Sequence, residues 1–132
     1  IEISFGDYEG RKCQDDNRNV LLDEYNMFKN HPLEFKGMPH GESIRDVIKR
    51  AGKAFERITT KPEYQDKTIL ISTHGCYYRA FLNRLYRDPS DYWQGGVPKN
   101  CAVSVVEAHN GEASLLKNDI LYYDTQFALR DF

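Results

Sequence analysis

Apolar residues recur at helical spacing through the middle of the chain. Ile44, Val47, Ile48, Ala51, Phe55 and Ile58 follow an i, i+3, i+4, i+7 pattern, while Arg45, Asp46, Lys49, Arg50, Lys53 and Glu56 fill the other face. The spacing predicts an amphipathic helix whose charges form a solvated face. Ser43 stands where an N-cap belongs, and Asp46, three residues on, is a shorter version of the capping-box acid. A less regular set, Val20, Leu21, Leu22, Tyr25 and Phe28, predicts a helix within residues 16–30 that Pro32 stops. Tyr77, Tyr78, Phe81, Leu82 and Leu85 predict a third helix, ended by the turn signal Asp88-Pro89-Ser90.

Strand signals differ in kind. Thr68-Ile69-Leu70-Ile71-Ser72 is a continuous apolar run rich in β-branched residues, the pattern of a central strand buried on both faces of a parallel sheet. Ala102-Val103-Ser104-Val105-Val106 and Ala113-Ser114-Leu115-Leu116 flank Asn110-Gly111, a pair suited to a type I′ turn, and predict an antiparallel hairpin. Ile1-Glu2-Ile3-Ser4-Phe5 alternates briefly before Gly6-Asp7-Tyr8-Glu9-Gly10, and with no initiator Met this opening reads as a cut start. Strand, short loop and helix in succession around residue 74 make the class α/β, with a mostly parallel sheet.

Composition narrows the function. The 132 residues, 40% of them hydrophobic, fit one soluble domain over 1–132, without repeats or a linker. A net charge of −2 with both signs mixed along the chain gives no nucleic-acid footprint. No apolar run approaches the roughly 20 residues of a membrane span, and no signal peptide opens the sequence, so a cytoplasmic protein is expected, with no membrane partner. Cys13, Cys76 and Cys101 are odd in number and widely spaced, which argues for reduced thiols and against a disulfide framework or zinc site.

Candidate chemistry sits at the strand-to-helix junction. Ligands of open α/β sheets bind beyond the carboxyl ends of strands, where the next helix offers free N–H groups and the positive end of its dipole. His74 occupies that junction, and Gly75 lets the backbone approach a bound group, so an anion, phosphate foremost, would meet imidazole and amides together. A lone histidine there more often just hydrogen-bonds a carbonyl. Glu2 is the second candidate, because a carboxylate beside a bound phosphate can protonate a leaving alkoxide and then activate water; alone, such a glutamate is usually only solvated. His31, His40 and His109 lack this placement and read as surface residues.

Three blocks in order, Ile1-Glu2-Ile3-Ser4-Phe5-Gly6-Asp7-Tyr8-Glu9-Gly10, Gly41-Glu42-Ser43, and Ile71-Ser72-Thr73-His74-Gly75 followed by Arg79, resemble the histidine-phosphatase, phosphoglycerate mutase-like superfamily. Its pattern L-x-E-x-x-F-G-x-W-E-G, G-E-S, and apolar-S-H-G-x-x-x-R covers nearly the whole chain, with Tyr8 in place of the usual Trp. The resemblance implies a three-layer α/β/α fold with a C-terminal antiparallel hairpin. It also implies ping-pong phosphoryl transfer through a phosphohistidine, with no metal and no cofactor. In that scheme His74 matches the second, phosphate-binding histidine and Glu2 the proton donor. The ligand it implies would be a small phosphorylated metabolite or inorganic phosphate.

One departure is large. The family's R-H-G motif, which carries the nucleophilic histidine, lies upstream of the first block and occurs nowhere in these residues, and none of Arg11, Arg18, Arg45 or Arg79 matches its arginine or the second pocket arginine. Arg79 fits a structural role on its helix. The strand bearing R-H-G would pair with residues 69–71, so this chain alone is expected to expose an apolar strand edge, to fold poorly and to lack turnover, as a fragment whose parent carries the missing segment.

Three functions stay open. Phosphomonoester hydrolysis is favoured over phosphoglycerate mutation, because mutases usually have a tyrosine-glycine-glycine-leucine type of block near Glu2 and Asn where Cys76 stands. The third is an inactive phosphate-binding or interaction module. Tyr77 or Tyr78 reads as core, and residues 88–99, with Trp93 and Gly95-Gly96, as a lid or interface element. A homodimer through the hairpin or the open edge is compatible with the sequence, which requires none.

Overall fold

The computed structural model describes residues 1–14 and 22–123. Its first helix, α1, spans Asp23–Asn30, and its longest element, α2, spans Ile44–Thr60. On α2 the buried side chains are Ile44, Val47, Ala51, Phe55 and Thr59, the stripe that the periodicity predicts. Its start is a full capping box: the Ser43 hydroxyl accepts from the Asp46 N–H at 3.1 Å, and the Asp46 carboxylate accepts from the Ser43 N–H at 3.1 Å. The shorter aspartate therefore does the work usually given to glutamate.

The predicted second helix is present as α1 in its described part; Val20 and Leu21 lie outside the described residues. Pro32 ends it by opening a short 3₁₀ turn. Helix α3, Gly75–Leu82, continues as a 3₁₀ turn through Leu85 and packs on α2, with the Phe55 and Phe81 rings 5.2 Å apart. Strands β1, Val103–His109, and β2, Glu112–Ile120, form the predicted antiparallel hairpin. Asn110 and Gly111 at its turn have φ of 50° and 90°, which is why an Asn-Gly pair is needed there. The turn lies on the end of α2: the Gly111 N–H donates to the Thr59 carbonyl at 3.2 Å and the Asn110 N–H to the Gln65 side chain at 3.4 Å.

The core joins Ile3, Phe35 and Met38 to the inner faces of α2 and α3 and to Tyr92. Phe28 of α1 is its aromatic hub, with Phe5, Phe35 and Trp93 all edge-on to it at 5.3–5.5 Å. Tyr92 is only 1% exposed and Trp93 packs against the core, so residues 88–99, expected as a lid or interface element, are anchored in the core at their middle.

Residues 68–72 differ from expectation. The sheet found among the described residues is the two-stranded hairpin, and 68–72 belong to no ladder. Leu70 is 94% exposed, and Ile69 and Ile71 stand at 41% and 42%. A parallel strand obtains its hydrogen bonds and burial from neighbouring strands, and no described strand runs beside this segment. Among the described residues the structure holds three α-helices, short 3₁₀ turns and an antiparallel hairpin.

Candidate active site

His74 is the N-cap residue of α3, with extended backbone (φ −101°, ψ 164°). Extended geometry is what a chain needs to enter a helix from a strand-like segment, and it turns the first helical N–H groups outward. Among the described residues the imidazole makes no hydrogen bond, and His74 is exposed. Gly75 suits a close contact: a β-carbon there would stand 2.7 Å from the Val97 side chain, which would have to shift to admit it.

Glu2 meets the same helix end. Its Oε2 accepts from the Cys76 N–H at 3.0 Å, and its Oε1 accepts from the Tyr77 N–H at 2.9 Å and from its own neighbour, the Ile3 N–H, at 2.8 Å. The two residues singled out in the sequence, 72 positions apart, are thus joined at one helix N-terminus. The carboxylate takes the amides of residues 76 and 77, and the Gly75 N–H is left without a protein partner among the described residues. A carboxylate offers about four lone-pair positions, so three bonds leave Glu2 one, on Oε2. His31, His40 and His109 are all exposed, as expected; His40 pairs with Asp7 at 2.9 Å across the surface.

Glu2 is held by a pair of residues to which the sequence assigned no role. Glu42, the middle residue of the Gly41-Glu42-Ser43 motif, accepts from Arg50 Nε at 2.6 Å and Nη2 at 3.0 Å, and from the Ser4 N–H at 3.0 Å. The hydrogen bond from Arg50 holds the Glu42 carboxyl below its ordinary value of 4.5. A group depressed in the folded state contributes stability that is present above its unfolded value and lost as pH falls through the folded one. Unfolding stability is therefore expected to decline as pH drops below 4.5, with a shallower decline in Glu42→Gln, measured by urea titration at successive pH values.

Cys76 lies beneath the site. Its sulfur is 3.2 Å from the Tyr92 hydroxyl, which donates to the Cys76 carbonyl at 2.7 Å, and burial pushes the thiol up to about 12. A thiol this far from ionising is inert near neutrality. Iodoacetamide at pH 8 is expected to label exposed Cys101 in the native protein and to reach Cys76 only after unfolding, by peptide mapping. Early labelling of Cys76 would contradict its burial.

Arg79 is 2% exposed and serves the scaffold. It donates to the Gly96 carbonyl through Nε at 3.0 Å and Nη2 at 2.8 Å, to the Tyr86 hydroxyl at 3.2 Å, and pairs with Asp119 at 2.7 Å. It thereby pins the segment carrying Val97 over Gly75 and ties β2 to α3. Tyr78 strengthens the tie, its hydroxyl bonding Asp119 at 2.7 Å and contacting Ser104.

A family model described as the histidine phosphatase superfamily (branch 1) matches residues 1–120, and the chain belongs to that superfamily. The superfamily supports phosphatase- or mutase-type chemistry. No curated protein and no solved structure gives a significant match. No helix among the described residues is long and apolar enough to cross a membrane.

Proposed function

We propose that the protein is a metal-independent phosphomonoesterase acting on a small phosphorylated metabolite in the cytoplasm, and that these residues supply its acid/base and half of its phosphate pocket. The observation that carries the reading is the convergence of His74, the free Gly75 N–H and the Glu2 carboxyl on the N-terminus of α3. The two unpartnered donors suit phosphate oxygens, and the helix dipole adds to their pull.

In this reading a nucleophilic histidine, carried upstream of Ile1, attacks phosphorus and the bond to the ester oxygen breaks. Glu2, protonated on the open position of Oε2, gives its proton to the departing alkoxide. Glu2 then takes a proton from water as that water attacks the phosphohistidine, releasing phosphate and restoring the carboxylic acid. His74 and Gly75 hold the equatorial oxygens throughout. The strand bearing that histidine would pair with residues 68–72 and complete a three-layer α/β/α fold over their exposed apolar side chains.

The test is hydrolysis of p-nitrophenyl phosphate by the full-length protein with and without EDTA, together with acid quenching to trap phosphohistidine. EDTA-insensitive turnover with an acid-labile, base-stable phosphoenzyme is the expected result. Residues 1–132 alone are expected to be inert. Phosphate binding without turnover in the full-length protein would favour the binding module, and transfer to an acceptor hydroxyl in place of water the mutase.

A further inference from the structure

We propose that Arg50 is the positioning residue for Glu2, and that the Gly41-Glu42-Ser43 motif acts in the reaction by orienting Arg50. The inference rests on the reading of Glu2 as proton donor. Arg50 projects from α2 and donates to the Ile1 carbonyl at 3.2 Å and the Glu2 carbonyl at 2.9 Å, while Glu42 fixes the guanidinium through two bonds of 2.6 and 3.0 Å. Glu42 grips the chain on the far side of Glu2 as well: its carboxylate accepts from the Ser4 N–H at 3.0 Å and its own N–H donates to the Ser4 carbonyl at 2.8 Å. The backbone is thus held at residues 1, 2 and 4, and Ile3 between them is 5% exposed.

The same guanidinium reaches the helix that Glu2 caps. It lies 4.7 Å from the centre of the Tyr77 ring, and the Tyr77 N–H is one of the donors to Glu2. Arg50 therefore touches both the backbone that carries the carboxyl and the residue that receives it. Displacing a catalytic group by about 1 Å can lower a rate by about 10²-fold, so a clamp of this kind acts on the chemistry without touching substrate. A planar fork with donors at Nε, Nη1 and Nη2 meets this geometry, whereas lysine, a point charge, cannot hold two carbonyls and a bidentate carboxylate together.

Proton donation matters most when the leaving group is a poor one, which supplies the readout. In the full-length protein, Arg50→Lys is expected to steepen the dependence of kcat/KM on leaving-group pKa, with an alkyl phosphate such as glycerol 3-phosphate losing about tenfold more than p-nitrophenyl phosphate. In a Glu2→Gln background the same replacement is expected to add no further steepening. Should Arg50→Lys fold too poorly to assay, Glu42→Gln releases the same guanidinium and is expected to steepen the dependence in the same sense. Parallel losses for all esters would make Arg50 merely structural, and steepening that persists in the Glu2→Gln background would show that it acts elsewhere; either overturns the inference. An inert wild-type protein sinks the phosphatase reading itself and the inference with it.

Discussion

Alanine at His74 is expected to lower kcat/KM of the full-length protein toward p-nitrophenyl phosphate by roughly 10²–10³-fold, the range found when one preorganised donor to a developing negative charge is removed. The ring is solvent-exposed and bonds to no described residue, so its loss takes almost nothing from the fold, while on the proposed reading it removes a contact to substrate. Stability should accordingly change by no more than about 0.5 kcal/mol, as for surface substitutions away from packed or bonded features. Steady-state kinetics and a thermal melt on the same preparation check both halves. A loss below about threefold would remove His74 from the phosphate site, and a large fall in melting temperature would make it structural.

The second large effect concerns Asp119. Arg79 is buried at 2% exposure, and Asp119, at 28%, carries the charge that balances it. Asp119→Ala leaves that guanidinium buried without a counter-charge, beside the Gly96 carbonyl, the Tyr86 hydroxyl and the Tyr78 and Tyr86 rings, and breaking a buried pair in this way costs about 3–5 kcal/mol. That is a large share of the roughly 5–15 kcal/mol that holds a typical domain together. Arg79→Met should cost less, because the Asp119 carboxylate is partly exposed and keeps the Tyr78 hydroxyl as a donor. Asp119 also has φ of 55°, so Asp119→Asn, which retains the left-handed preference, separates the backbone part of the loss from the charge. Urea denaturation midpoints for the three variants give the order, and a cost below about 1 kcal/mol for Asp119→Ala would refute the pairing argument.

What could be read in the sequence was local. Helix α2 was legible because its stripe, its cap and its capping-box acid all fall within one continuous segment, and the hairpin because Asn110-Gly111 states a backbone requirement in two residues. The superfamily was legible because its three motifs each keep their internal spacing, and His74 and Glu2 could be named from them. Residues 68–72 show the opposite case. An apolar β-branched run says that a strand is favoured, but its burial depends on a neighbour that the run does not encode.

The clamp around Glu2 was hidden for the same reason. Arg50 and the Glu2 carbonyl are 48 residues apart, and Glu2 and the Cys76 amide 74 apart, so only the folded chain brings them together. Arg50 read as one more charge on a solvated helix face. Its eight-residue separation from Glu42 was the only hint, and such a spacing carries no chemistry by itself. Trp93 and Gly95-Gly96 make residues 88–99 read as a lid or interface element, whereas Tyr92 and Trp93 pack in aromatic contacts that only the folded chain reveals.

Hairpin tips are ordinarily where a protein family can lengthen, shorten or accept a grafted peptide without harm. The Asn110-Gly111 turn does not have that freedom. By donating to Thr59 it satisfies one of the last carbonyls of α2, and a β-carbon on Gly111 would stand 3.1 Å from the Thr60 side chain. The Gln65 side chain shares that carbonyl at 3.1 Å, so an insertion would remove one of the two donors that close the helix carrying Arg50, and divergence among relatives of this chain should spare the tip and accumulate elsewhere.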